Sequence, residues 1–250
     1  MTRIGILGAM ASEIEALVAS MKDVEREPHA GYELWTGSLF GRDCVVARCG
    51  MGKVAAAATA QHVFDSAGAE LLVVCGLAGG LQAGLRIGDI VVGDRFVQHD
   101  VDASPIFPRW QLPGLDITYL EPPHELLDAG VEAAHRFVQT GLGTIDSKAR
   151  ALFQIQTPQV VRGLIVTGDQ FITDSERPQL TEHFPDAACV EMEGAAIAQV
   201  AHMNSKPFLV IRVISDSADA SAAANFGQFV EHVAPHYTLG IVRELLAQLP

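Results

Sequence analysis

Val190-Glu191-Met192-Glu193-Gly194-Ala195-Ala196-Ile197-Ala198 carries the end of an apolar strand into an Ala-rich helix, with two carboxylates at the junction. A strand that feeds a helix is the building unit of an α/β fold. Acids at such a junction sit beside free backbone N–H groups and at the positive end of the helix dipole. Strand ends of open α/β sheets are also where ligands bind. Two uses therefore fit Glu191 and Glu193. Either can stabilise the helix start, or accept hydrogen bonds from a vicinal diol such as a ribose 2′,3′ pair.

The same alternation runs outward in both directions. Arg3–Ala9 reads as a strand, and Ala11–Met21 as a helix with Ile14, Leu17 and Val18 on one face. Tyr32–Leu39 and Asp43–Cys49 read as a hairpin turned at Gly41-Arg42. Gly52–Ser66 is an Ala-rich helix. Leu71–Cys75 is continuously apolar, the pattern of a strand buried on both faces, and ends in the Gly76-Leu77-Ala78-Gly79-Gly80 turn. Asp89–Gln98, Arg162–Thr167, Ala187–Val190 and Pro207–Ile214 are further strands. Glu125–Val138, Gly194–Met203 and Phe226–Leu249 are further helices. Residues 102–114, rich in Pro and aromatics, read as a functional loop, and 140–159 has no clear pattern. With no linker or repeat, residues 1–250 are expected to form a single-domain, three-layer α/β/α sandwich around a mostly parallel, mixed and twisted sheet.

A chain of 250 residues with 49% apolar content can bury a sizeable core. Its 17 basic and 30 acidic residues leave a net charge of −13, which argues against nucleic acid and anionic membrane as partners. A small neutral nucleoside is not excluded. Cys44, Cys49, Cys75 and Cys189 lie in apolar runs without a CxxC pair, as in a reducing compartment. No apolar run reaches the ~20 residues of a membrane span, and no leader pattern precedes the first strand. A cytoplasmic location is expected.

The polar residues with chemical potential follow strands. Glu13, in the first turn after Gly8-Ala9-Met10, is either a dipole acid or a general base for water. Gly50-Met51-Gly52-Lys53 and the Gly-rich turn at 76–80 allow close backbone approach, but match neither a P-loop nor a dinucleotide fingerprint. Phe171, after Gly168-Asp169-Gln170, is either core or a face for stacking on a base. Asp216, in Ser215-Asp216-Ser217-Ala218-Asp219, is either a cap or a general acid whose proton burial would retain. His232 and His236 have helical spacing but no third ligand, with Pro235 between them. No metal or other cofactor is expected.

Together these motifs resemble the nucleoside phosphorylase/nucleosidase superfamily, and within it the 5′-methylthioadenosine/S-adenosylhomocysteine nucleosidase family. The resemblance rests on Ile4–Met10, Gly50–Ala57, Gly88–Val92, Val166–Asp169, Val190–Glu193 and Arg212–Asp216 in that order, and is weakest at 140–159. It implies a nucleoside phosphorylase-like fold, no cofactor and a homodimer. It also implies hydrolysis of the N-glycosidic bond of 5′-methylthioadenosine and S-adenosylhomocysteine. In that scheme Asp216 protonates adenine N7, and Glu13 activates water with Arg212 nearby. Glu193 holds the ribose hydroxyls, with Met192 packed on the sugar. Phe171 stacks on adenine, and the Ile172 backbone reads its edge. Met10, Met51 and Phe226 line the 5′-alkylthio pocket. Leu77, Ala78, Gly79, Ser215 and Ala218 complete the substrate-binding set. Leu77 departs from the family, which usually has a small hydroxyl residue there, and residues 102–110 match it poorly. The alternatives are a nucleosidase for another 5′-modified purine nucleoside (futalosine type), a purine nucleoside phosphorylase, or a non-catalytic nucleoside-binding protein.

Overall fold

The run Leu71–Cys75 lies at the centre of the sheet, because its uninterrupted apolar residues can be covered on both faces. In the computed structural model, which describes residues 2–29, 31–216 and 222–249, this run opens β5 (Leu71–Gly80). β5 pairs in parallel with β1 (Ile4–Gly8) on one side and β9 (Phe208–Asp216) on the other. Beyond β1 come β4 (Arg42–Arg48), parallel to it, and then the antiparallel β3 (Tyr32–Leu39) and β2 (Lys22–His29). On the other side β9 pairs antiparallel with β6 (Ile90–Gln98), and β6, β7 (Val160–Thr167) and β8 (Ala187–Glu191) follow in parallel. β8 then returns to β5 through Gly79↔Val190 and Gly80↔Cys189. The sheet is therefore mixed, and β5, β9, β6, β7 and β8 close into a ring.

Helices cover both faces. α1 (Ala11–Ser20), α3 (His124–Thr140) and α8 (Ala234–Gln248) bury Leu17, Phe137, Tyr237 and Ile241 against Ile6, Val73 and Ile211. α2 (Lys53–Asp65) and α6 (Gly194–Met203) bury Ala60, Val63, Ala198 and Ala201 against Leu7, Val45, Val74 and Val210. The strand residues alternate between these two cores, as the two-residue period of a pleated strand requires. Small residues on α2 and α6 let these helices sit close together. The three-layer α/β/α arrangement is the one expected.

Several elements differ from expectation. The Gly76–Gly80 stretch is not a turn but the second half of β5, because β9 supplies a ladder as far as Gly79↔Asp216. The expected helix at 226–249 is two helices, α7 (Ala222–His232) and α8, since Pro235 fits only in the first turn of a helix. β2 and α5 (Arg177–His183) were not expected. Within 140–159 the chain forms a 3-10 turn at Leu142–Thr144 and α4 (Ser147–Leu152), capped by Asp146.

Candidate active site

The C-terminal ends of β1, β5 and β9, the β8–α6 junction and the segment after β7 surround one cleft. It is lined by Met10, Glu13, Met51, Leu77, Ala78, Gly79, Phe171, Ile172, Met192, Glu193, Ser215, Asp216 and Phe226, together with Ala9, Gln170, Val190 and Glu191. The first thirteen are sequence-expected site residues. Arg212 stands behind the wall and Ala218 lies outside the described residues. Ala9, Gln170 and Val190 were absent from the expected set; Ala9 adjoins Met10 and Gln170 adjoins Phe171, while Glu191 was weighed at the strand–helix junction but given no substrate contact.

Glu13 is placed by the start of α1. Its Oε2 accepts the Met10 N–H at 2.9 Å, closing the first turn back on itself. Its Oε1 accepts the Leu77 N–H at 3.2 Å. The backbone of Leu77, not its side chain, thus addresses the acid. Glu13 is buried, and burial raises its pKa even though Arg212 and the backbone N–H donors pull the other way.

The two carboxylates of the β8–α6 junction have different partners. Glu191 Oε2 accepts the N–H groups of Glu193 at 3.0 Å and Gly194 at 2.7 Å, and pairs with Arg212. Glu191 Oε1 accepts the Thr167 hydroxyl, whose oxygen in turn accepts the Ala195 N–H at 2.9 Å. Glu191 and Thr167 therefore anchor the first turn of α6, a role that a Thr closing an apolar strand did not announce. Glu193 Oε1 accepts the Gly52 N–H at 2.9 Å, and Oε2 meets Arg212 at 3.3 Å. Burial, countered in part by Arg212, pushes the Glu193 carboxyl up to about 7.

Arg212 is fully buried and shared by Glu191 and Glu193. Room for it exists only because position 76 is glycine: a Cβ there would stand 2.1 Å from Arg212 Nη1 and 2.8 Å from Glu13 Oε1. Across the cleft the Ser215 hydroxyl donates to Asp216 Oδ2 at 2.8 Å. Phe171 and Phe226 meet edge to face, their centroids 6.3 Å apart, with Phe171 half exposed. The result is an apolar slot with carboxylates at its floor and no lysine, arginine or histidine among the described lining residues. Such a slot suits a flat, neutral ligand bearing hydroxyls, and it disfavours an anion.

The chain belongs to the phosphorylase superfamily, whose sequence model matches residues 3–247. Its branch is that of the 5′-methylthioadenosine/S-adenosylhomocysteine nucleosidases. It is 36% identical over 249 residues to the enzyme of that name from Shewanella sp. (strain MR-7), covering 99% of this chain and 97% of the relative. Its fold is similar to that of the Neisseria meningitidis nucleosidase in complex with methylthio-immucillin-A, with a TM-score of 0.87, 32% identity and 100% of both chains covered. The native futalosine hydrolase of Helicobacter pylori strain 26695 is also similar, with a TM-score of 0.84 and 29% identity over 99% of this chain and 98% of that one.

Proposed function

We propose that this chain hydrolyses the N-glycosidic bond of 5′-methylthioadenosine and S-adenosylhomocysteine, releasing adenine and the 5′-thio-substituted ribose. One observation carries the reading: three buried carboxylates, Glu13, Glu193 and Asp216, converge on one apolar cleft in a chain of this family. Asp216, oriented by Ser215, delivers a proton to adenine N7 and makes the base a neutral leaving group. The sugar develops oxocarbenium character, which the neighbouring carboxylates stabilise electrostatically. Glu13 takes a proton from the attacking water, and Glu193 accepts the ribose hydroxyls. Met10, Met51 and Phe226 receive the thioether, a soft group that Met packs well.

Hydrolysis is favoured over phosphorolysis by charge. Phosphate entering the cleft would meet Glu13 with no cationic side chain among the described lining residues to offset it. Leu77 adds no hydroxyl. The reading extends to one catalytic domain spanning the chain, and to a cytoplasmic homodimer in which residues 102–114 of one copy close the other's 5′ pocket. Four free cysteines support the reducing location, and exposure of Ile106 supports the contact.

The test is adenine release from both nucleosides with and without phosphate. Adenine and a free thio-sugar without phosphate are expected. A strict need for phosphate overturns the role of Glu13. Release only from a larger 5′-substituted nucleoside favours the futalosine-type reading.

A further inference from the structure

Lys53 and Asp169 close two of the sequence motifs, yet the proposed chemistry uses neither. The fold brings both to Asp100, just beyond β6. Asp169 Oδ1 accepts the Lys53 N–H at 2.7 Å. The Lys53 ammonium pairs with Asp100 Oδ1. Asp100 Oδ2 accepts the Asp169 N–H at 3.0 Å. The three residues thus form a closed ring joining the start of α2 to the ends of β6 and β7.

Isolated exposed ion pairs contribute little. This one is partly screened from water, with the Lys53 side chain 17% and the Asp100 side chain 32% exposed. Each carboxylate also holds a backbone N–H, and Asp169 sits at the positive end of α2. Burial opposes the charge on Asp100, but the Lys53 and Asp169 donors win and hold its carboxyl below the usual range.

What the ring joins gives it its meaning. On one side is the Met51-Gly52 turn, whose Gly52 N–H donates to Glu193. On the other is Gln170-Phe171-Ile172, which enters the cleft directly after Asp169. Gly52 has φ +91, and a Cβ there would stand 3.0 Å from Asp169 Oδ1, so the approach of the two segments depends on glycine.

We propose that Lys53, Asp100 and Asp169 are positioning residues: their ring clasps the sugar-side wall of the cleft to the base-side wall. The assignment of sugar and base to these walls rests on the nucleosidase reading. The ring touches no reacting group. Its loss loosens Gly52 and Phe171 while Glu13 and Asp216 stay in place, so substrate binding suffers and the chemical step does not.

The experiment compares the native protein with Lys53→Met, Asp100→Asn and Lys53→Arg, by amide hydrogen exchange of segments 50–56 and 168–172 and by steady-state kinetics on methylthioadenosine. Lys53→Met and Asp100→Asn are expected to speed exchange in both segments and to raise KM about tenfold, with kcat within about twofold, as loss of one charge-assisted hydrogen bond implies. Lys53→Arg keeps the charge and is expected to restore KM to within about twofold of native. Unchanged exchange, unchanged KM, or a fall in kcat at constant KM each overturns the clasp. If the native protein releases no adenine, the nucleosidase reading fails, and exchange in the two segments alone decides the clasp.

Discussion

Asp216 and Glu193 line one cleft, and the proposed mechanism gives them different work that isosteric changes separate. Asp216→Asn keeps the Ser215 contact but has no proton to give; it is expected to fold with a native melting temperature. Its kcat on methylthioadenosine should fall by about 10²–10⁴, the usual worth of a general acid. Near-native turnover would remove Asp216 from the mechanism. Glu193 carries a pH signature. In the folded chain it keeps its proton up to about pH 7, whereas an ordinary Glu loses it near 4.5. Between those values the native state binds more protons, so this group's contribution to stability falls as pH rises through the window. The melting temperature of native protein relative to Glu193→Gln should therefore drop from pH 5 to pH 8. Activity moves the other way, because the ionised carboxylate is the better acceptor for the ribose hydroxyls. The acid limb of kcat/KM should lie near 7, and a limb near 4.5 would show that Glu193 does not control binding.

Among the elements, β5 combines an apolar first half with a glycine-rich second half, and each half has its own reason. The first half fills the core; the second passes Arg212 and Glu13 at Gly76, where no side chain fits. Gly76→Ala should lower stability by about 1–3 kcal/mol, the usual cost of overpacking. Thermal melts check this, and an unchanged melting temperature would show that Arg212 moves aside freely. The apolar half was legible because its pattern is local. Its continuation was not, because the strand that completes it, β9, lies far along the chain and glycine alone signals a turn. The division at Pro235 is similar: periodicity ran through it, and only the backbone chemistry of proline decides where one helix stops. Lys22–His29 hid for the opposite reason, as its residues are charged on both faces and lack alternation. The site was more legible than these elements. Glu13 and Glu193 follow strands and Asp216 ends one, and strand ends meet in this class of fold. What could not be read was the anchoring of α6 by Glu191, which depends on Thr167 and Arg212 arriving from elsewhere in the chain.

For the whole molecule, β9 is the strand that decides shape, since it pairs with both β5 and β6 and turns one half of the sheet back on itself. Pairings of this kind are set by long-range packing, which a one-dimensional pattern does not encode. Closure has a consequence for how copies of this chain meet in concentrated solution. Among the described residues a ring leaves no unpaired strand on that side, so β2 is the sheet's one open border. An open border recruits strands from other molecules unless it is made unattractive. Lys22-Asp23-Val24-Glu25-Arg26-Glu27-Pro28-His29 does this with alternating charge and a proline that cannot donate. Replacing Glu25 and Glu27 by Val, together with Pro28→Thr, should leave the cleft untouched and make the protein self-associate into β-rich aggregates, seen as light scattering on mild warming. The least hydrophobic strand of the molecule is then what keeps it in solution.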